Sequence, residues 1–212
     1  MPEKKASKNL IGILISGRGS NMRAILDRIS AGDLDARAAL VISNEPKAAG
    51  LLLARERGVP TLVIDHRDSL TREEHDRKMA DALGARGVRL VCLAGYMRLL
   101  SPWFIERFEG RVLNIHPSLL PSFPGRDAQR QAIEAGVKIS GCTVHFVDDR
   151  VDSGPIVLQE AVPVLDDDDP DTLAARILEK EHDLYCRAIA LHFYGRLRVA
   201  GRRVLGTNPR VD

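Results

Sequence analysis

Leu10–Ile29 reads LIGILISGRGSNMRAILDRI, and its three parts decide the fold. Leu10–Ile15 is an apolar run without polar alternation, as expected for a central parallel strand. The glycine-containing loop SGRGSN follows, and apolar residues then recur at helical spacing, at positions 22, 25, 26 and 29. A strand, a glycine loop and a helix in this order open a βαβ unit, so we expect an α/β protein.

The same alternation continues along the chain. We predict further strands over Ala38–Ile42, Thr61–Ile64, Val88–Leu93 and Val112–Ile115, and helices over Ala48–Arg57, over Arg72–Leu83 with Thr71 as N-cap, and after Pro102. With right-handed crossovers, the five strands form a doubly wound, mainly parallel sheet.

The second half of the chain changes pattern. After a short helix over Ala128–Glu134, two β runs, Gly141–Val147 and Pro155–Val164, predict an antiparallel extension of the sheet. We then predict a long helix over Thr172–His192, opened by Asp166–Asp169 and Pro170, and a hairpin of Arg196–Val199 and Arg202–Leu205. The expected organisation is a tail (1–8), a single domain (9–195) and a C-terminal hairpin with its tail (196–212).

Composition narrows the class of protein. The 31 basic and 29 acidic residues give a net charge of +2, which provides no general case for a nucleic-acid partner. Three scattered cysteines without a CxxC motif indicate reduced thiols in the cytoplasm. The polar start MPEKKASKNL lacks the apolar core of a secretory signal, and no apolar run approaches the ~20 residues of a membrane helix. We therefore expect a cytoplasmic protein without a membrane partner.

Leu113–Gly125, LNIHPSLLPSFPG, carries the first candidate chemistry. Asn114 and His116 are two residues apart on a predicted strand, so their side chains leave the same face. Three prolines then stiffen the following loop. An amide beside an imidazole can hydrogen-bond a carbonyl oxygen and exchange a proton near neutral pH. A buried pair that only caps loop backbone is the alternative.

Three further stretches are candidates for ligand contacts. In SGRGSN, the glycines and the N-terminus of the following helix suit an anion. Met22 stands where a dinucleotide-binding loop has its third glycine, and the lysine of a P-loop is missing. A single phosphate therefore fits this loop better than a dinucleotide or a triphosphate. AGYMRLLSP (94–102) follows a strand and could line an apolar slot, or simply pack on a helix. A carboxylate from the acidic loop DDRVDSGP would favour the imidazolium of His116 and raise its pKa, although such loops are often merely solvated. The remaining histidines show no metal-ligand spacing, and we expect no metal.

Together, SGRGSN, AGYMRLLSP, LNIHPSLLPSFPG and the DDRVDSGP loop after GCTVHFV resemble the phosphoribosylglycinamide formyltransferase family, from about Leu10 to near Phe193. The resemblance implies a doubly wound α/β fold and transfer of a formyl group from the cosubstrate 10-formyltetrahydrofolate to the amine of 5-phosphoribosylglycinamide in purine biosynthesis. It implies direct attack by the amine and a catalytic trio in which Asn114 and His116 stabilise the oxyanion and Asp152 assists proton transfer. It also implies substrate contacts at Gly19, Ser20, Asn21 and Glu181. The implied folate contacts are Arg72, Met97, Arg98, Leu99, Leu100, Asn114 and Asp148. Arg18 and the pair Arg126 and Asp127 depart from the family pattern, and the protein is expected to be a monomer or homodimer.

Two other functions remain open. Another formyl-folate enzyme, a formyltetrahydrofolate hydrolase or a methionyl-tRNA formyltransferase, would use the same trio. Those enzymes normally carry an additional domain, for which we expect no room here. A nonenzymatic nucleotide- or folate-binding module would bind ligand without turnover, and it predicts that Asn114, His116 and Asp152 lie far apart.

Overall fold

The computed structural model describes residues 8–207, in two compact units that divide between Val112 and Leu113. The first unit alternates strands and helices: β1 (Leu10–Ile15), α1 (Ser20–Ala31), β2 (Arg37–Ser43), α2 (Ala49–Glu56), β3 (Thr61–Val63), α3 (Arg72–Ala85), β4 (Leu90–Leu93) and α4 (Pro102–Arg107). A 3-10 turn over His66–Asp68 follows β3. The four strands lie in the order β3-β2-β1-β4 and every neighbouring pair is parallel.

The second unit is mainly antiparallel. It contains β5 (Val112–His116, all but its first residue), α5 (Ala128–Glu134), β6 (Ile139–Phe146), β7 (Ile156–Pro163), α6 (Pro170–Phe193), β8 (Arg198–Ala200) and β9 (Arg203–Leu205). The strand order is β5-β6-β7-β9-β8. β6 is antiparallel to both β5 and β7, whereas β9 pairs parallel to β7 at a single position.

Local sequence explains why these elements form where they do. Five of the six residues of β1 are buried, which is the environment that an unbroken apolar run requires. Thr71 caps α3 by accepting a hydrogen bond from the Glu74 N–H at 3.1 Å. At the start of α6, Asp169 accepts from the backbone of Thr172 while the Thr172 hydroxyl interacts with the Asp169 N–H, which satisfies two helix-end donors reciprocally.

The structure confirms the predicted α/β class, the parallel strands and the antiparallel extension. β1 and α5 have the predicted bounds, and the other elements shift by a few residues. β5 extends one residue further and includes His116. The hairpin strands are each one residue shorter than predicted, and the turn lies at Gly201 as expected, with a φ of 61°. Within residues 8–207, no helix is both long and apolar enough to span a membrane. The predicted domain boundaries stay a prediction, and the tail 1–8 lies outside the described residues except for Lys8.

Candidate active site

The three residues of the predicted trio lie close together in the second unit. Asn114 and His116 stand at the end of β5, and Asp152 lies in the loop between β6 and β7. The Asp152 backbone has a φ of 47°, a left-handed conformation that aspartate tolerates better than most residues. Its Oδ2 atom lies 3.3 Å from His116 Nδ1 and accepts a 2.8 Å hydrogen bond from the Gly125 N–H. The nonenzymatic alternative predicted that these three residues lie far apart, and the distances contradict that prediction.

A fourth side chain, His145 on β6, completes this cluster and was missed by the sequence analysis. His145 is paired directly opposite Asn114 across the two strands. Its Nδ1–H donates to the Phe146 carbonyl at 2.8 Å, so in the neutral ring Nε2 is an acceptor. The Asn114 amide nitrogen lies 3.2 Å from this Nε2 and donates to it. His145 therefore fixes the orientation of the Asn114 amide, with the NH2 group directed toward the His145 ring.

The second hydrogen of the Asn114 amide is the freer one. Its closest acceptor is Asp152 Oδ1 at 3.5 Å, a distance at which a hydrogen bond is weak. A ligand oxygen could therefore compete for this hydrogen at little cost. Asn114 is only half-buried, so the amide is accessible to such a ligand.

The His116 imidazole is buried, and both of its nitrogens face oxygen atoms. Nε2–H donates to the Phe123 carbonyl at 2.9 Å, while Nδ1 faces Asp152. Burial lowers the pKa of His116 below 6.5; the Phe123 carbonyl and the Asp152 charge act in the opposite direction without reversing it. Asp152 therefore has the expected raising effect on the pKa, but desolvation of the ring outweighs it and the net shift is downward.

Asp152 remains ionised in this environment. Burial acts to raise the pKa of Asp152, but the contact with His145, the charge of His116 and the Gly125 N–H together hold it below 3.8. The cluster thus combines a carboxylate, an imidazole whose pKa is lowered by burial and an amide donor. That set can transfer a proton and stabilise a developing oxyanion.

The predicted phosphate loop lies in the first unit. Gly19 is the N-cap of α1 with a φ of 74°, and an added Cβ would lie 3.1 Å from the Gly50 backbone. Glycine is therefore required here by both conformation and space. Ser20 and Asn21 are the first two residues of the helix, where backbone N–H groups lack intrahelical acceptors.

The predicted folate segment, Met97–Leu100, also lies in the first unit. Met97 and Leu99 are 66% and 55% exposed, whereas Leu100 is buried. Arg98 is half-buried, and its Nε–H is buried without a hydrogen-bond partner in the part of the chain that the structure describes. Two exposed large apolar side chains beside an unpaired buried donor are features that a bound heterocycle would satisfy.

The other predicted contacts occupy separate elements. Arg72 is the exposed first residue of α3, and Glu181 is buried on α6. The Ser153 hydroxyl lies 2.8 and 3.0 Å from the two carboxylate oxygens of Asp148 and donates its one hydrogen to this carboxylate, within the loop that carries Asp152. Arg18 is exposed, as are Arg126 and Asp127; nothing in the structure explains why these residues depart from the family pattern. No group of three or more histidine, cysteine or acidic side chains within residues 8–207 is arranged to hold a metal.

Comparison with known proteins identifies the family. The sequence profile described as "Formyl transferase" matches residues 9–189. The chain belongs to the formyl transferase family. A fellow member, the phosphoribosylglycinamide formyltransferase of Haemophilus influenzae, is 43% identical over 89% of this chain and 89% of its own length.

A solved structure extends this result to the fold. The glycinamide ribonucleotide transformylase 1 of Symbiobacterium toebii is 53% identical, with 92% of each chain covered and a TM-score of 0.91. The trifunctional purine biosynthetic protein adenosine-3 of Drosophila melanogaster is 51% identical over 85% of this chain. This chain spans only 14% of the length of that relative.

Proposed function

We propose that the protein transfers a formyl group from 10-formyltetrahydrofolate to the amine of 5-phosphoribosylglycinamide, a step of purine biosynthesis. The observation that carries the proposal is the cluster of Asn114, His116 and Asp152, which suits attack by an amine on a formyl carbon. The names of the relatives from Haemophilus influenzae and Symbiobacterium toebii support the same substrate.

In the proposed reaction, the amine attacks the planar formyl carbon and forms a C–N bond. The formyl oxygen gains negative charge in the tetrahedral intermediate. The weakly held second hydrogen of the Asn114 amide donates to this oxygen, and one such donor is typically worth ~3 kcal/mol. His145 keeps the amide turned so that this hydrogen is available.

Collapse of the intermediate breaks the bond between the formyl carbon and N10 of the folate, and the amine proton must reach N10. The neutral His116 takes up this proton transiently, directly or through water, and the charge of Asp152 stabilises the resulting imidazolium. The lowered pKa of His116 suits this role, because the ring is unprotonated before the reaction and returns the proton readily. No covalent enzyme intermediate is needed.

The ligand contacts form the second part of the proposal. Gly19, Ser20 and Asn21 bind the substrate phosphate through backbone N–H groups and side chains, and Glu181 contacts the same substrate. The folate ring contacts Met97–Leu100, with further contacts from Arg72, Asn114 and Asp148. We also propose a cytoplasmic enzyme without a metal that acts as a monomer or homodimer.

The test is to mix the purified protein with 10-formyltetrahydrofolate and to follow folate deformylation with and without 5-phosphoribosylglycinamide. The proposal predicts deformylation only in the presence of the amine, with one formylated product per folate consumed. Formate release without the amine would instead identify a formyltetrahydrofolate hydrolase. Folate binding without any turnover would identify a binding module.

A further inference from the structure

Ser16, the last residue before the glycines of SGRGSN, makes three hydrogen bonds that no proposed catalytic step uses. Its N–H donates to the Gly95 carbonyl at 3.0 Å. Its hydroxyl oxygen accepts from the Met97 N–H at 2.9 Å. The hydroxyl hydrogen donates to Asn44 Oδ1 at 2.6 Å. One serine thus joins the start of the phosphate loop to the folate segment within the first unit.

The network is anchored to buried structure. Asn44 is 3% exposed and follows the last residue of β2, so the acceptor of the Ser16 hydroxyl is fixed by the parallel strands. The carbonyl of Gly17, the residue after Ser16, accepts a 3.0 Å hydrogen bond from the Gly50 N–H of α2. The start of the loop is thus hydrogen-bonded to the residue after β2, to α2 and, through Ser16, to the folate segment.

We propose that Ser16 is a positioning residue that couples the phosphate loop to the folate segment. This inference rests on the proposed function, because it takes those two segments to be the ligand sites. A ligand that orders one segment reduces the freedom of the other through the shared hydroxyl, and the second ligand then binds more tightly. By linkage, the effect is reciprocal.

The experiment measures the affinity of 5-formyltetrahydrofolate, a stable folate, with and without saturating inorganic phosphate at constant ionic strength. For the wild-type chain, we expect phosphate to tighten folate binding by about fivefold or more. In Ser16→Ala, the Met97 N–H and the Asn44 carbonyl lose their partner. We expect folate binding without phosphate to weaken by about 5- to 100-fold and the effect of phosphate to disappear.

Three variants separate coupling from a general loss of structure. Ser43→Ala is the matched control: this buried hydroxyl bonds only within its own turn, to the Glu45 backbone, in the described part of the chain, and the variant should behave as wild type. Ser16→Thr keeps a hydroxyl and should restore the phosphate effect. Asn44→Ala removes the acceptor from the other side, and it tests the network if Ser16→Ala does not fold.

The outcomes are distinct. A wild-type chain that binds folate without any effect of phosphate, or an unchanged phosphate effect in Ser16→Ala, would overturn the coupling and leave the proposed function standing. A wild-type chain that binds neither folate nor phosphate would overturn both.

Discussion

Replacing Asp152 by asparagine removes one charge from the site and exchanges the weak Oδ1 acceptor beside Asn114 for an NH2 group. Asparagine has nearly the same shape and tolerates the same left-handed backbone, and its carbonyl can accept the Gly125 N–H. At 3.3 Å and an effective dielectric constant of about 20, the carboxylate and a protonated His116 attract each other by about 5 kcal/mol. The Asp152 side chain is 14% exposed, so water screens part of this attraction. A loss of about 3–4 kcal/mol at the transition state lowers kcat by about 100- to 1,000-fold.

The assay is steady-state formyl transfer, followed by the absorbance of the folate, with kcat and KM determined for both substrates. The charge acts only when His116 takes up the proton, so KM should change by less than about threefold. Asp149→Asn is the matched control, because it removes an exposed carboxylate from the same loop. A folded Asp152→Asn enzyme with kcat close to that of the wild type would refute the assigned role.

Three further predictions follow from the same geometry. His145→Ala leaves the Asn114 amide without the acceptor that orients it, and kcat should fall about tenfold; unchanged kcat would show that the amide orients itself. Gly19→Ala forces a strained φ against the Gly50 backbone, at a cost of about 1–2 kcal/mol, and should raise KM for the phosphorylated substrate about 5- to 30-fold. Gly17→Ala is the control: its added Cβ meets nothing within 4 Å, so KM for the phosphorylated substrate should stay unchanged. Equal increases in KM for the two variants would contradict the prediction. Because burial lowers the pKa of His116 below 6.5, the unfolded chain binds this proton more readily, so the free energy of unfolding should fall as the pH drops through 6.5 toward the folded-state pKa. Urea unfolding between about pH 7.5 and 5.5 should show a flatter dependence for His116→Asn, and an unchanged slope would contradict the lowered pKa.

The elements that the sequence predicted well depend on local pattern. The strand β1 and the short helix α5 have the predicted bounds because the residue pattern that specifies each of them, and the residues that end it, are local in sequence. The ends of the hairpin strands were less well placed, because the extent of pairing depends on the partner strand, although the turn lies where the sequence predicted it. Here the turn is at Gly201.

In the candidate site, too, the residues related by local sequence could be predicted, whereas those brought together by the tertiary structure could not. Asn114 and His116 could be paired from the sequence because two residues on one strand share a face. His145 could not be found, because its place opposite Asn114 depends on the register between β5 and β6, which nothing local specifies. A histidine in the apolar run GCTVHFV was the one available signal. The sequence predicted the raising effect of Asp152 on the pKa of His116, but it missed the larger lowering effect of burial, because desolvation is set by tertiary packing.

The central claim is that Asn114, His116 and Asp152 pass a one-carbon unit to a primary amine. The most direct measurement uses 10-formyltetrahydrofolate labelled with ¹³C in the formyl group and follows the label by NMR. With the wild-type chain and 5-phosphoribosylglycinamide, the label should enter an amide of the phosphorylated product; with Asp152→Asn, it should remain on the folate over the same time. Label that enters formate, or that enters the amide equally fast in both proteins, would contradict the account.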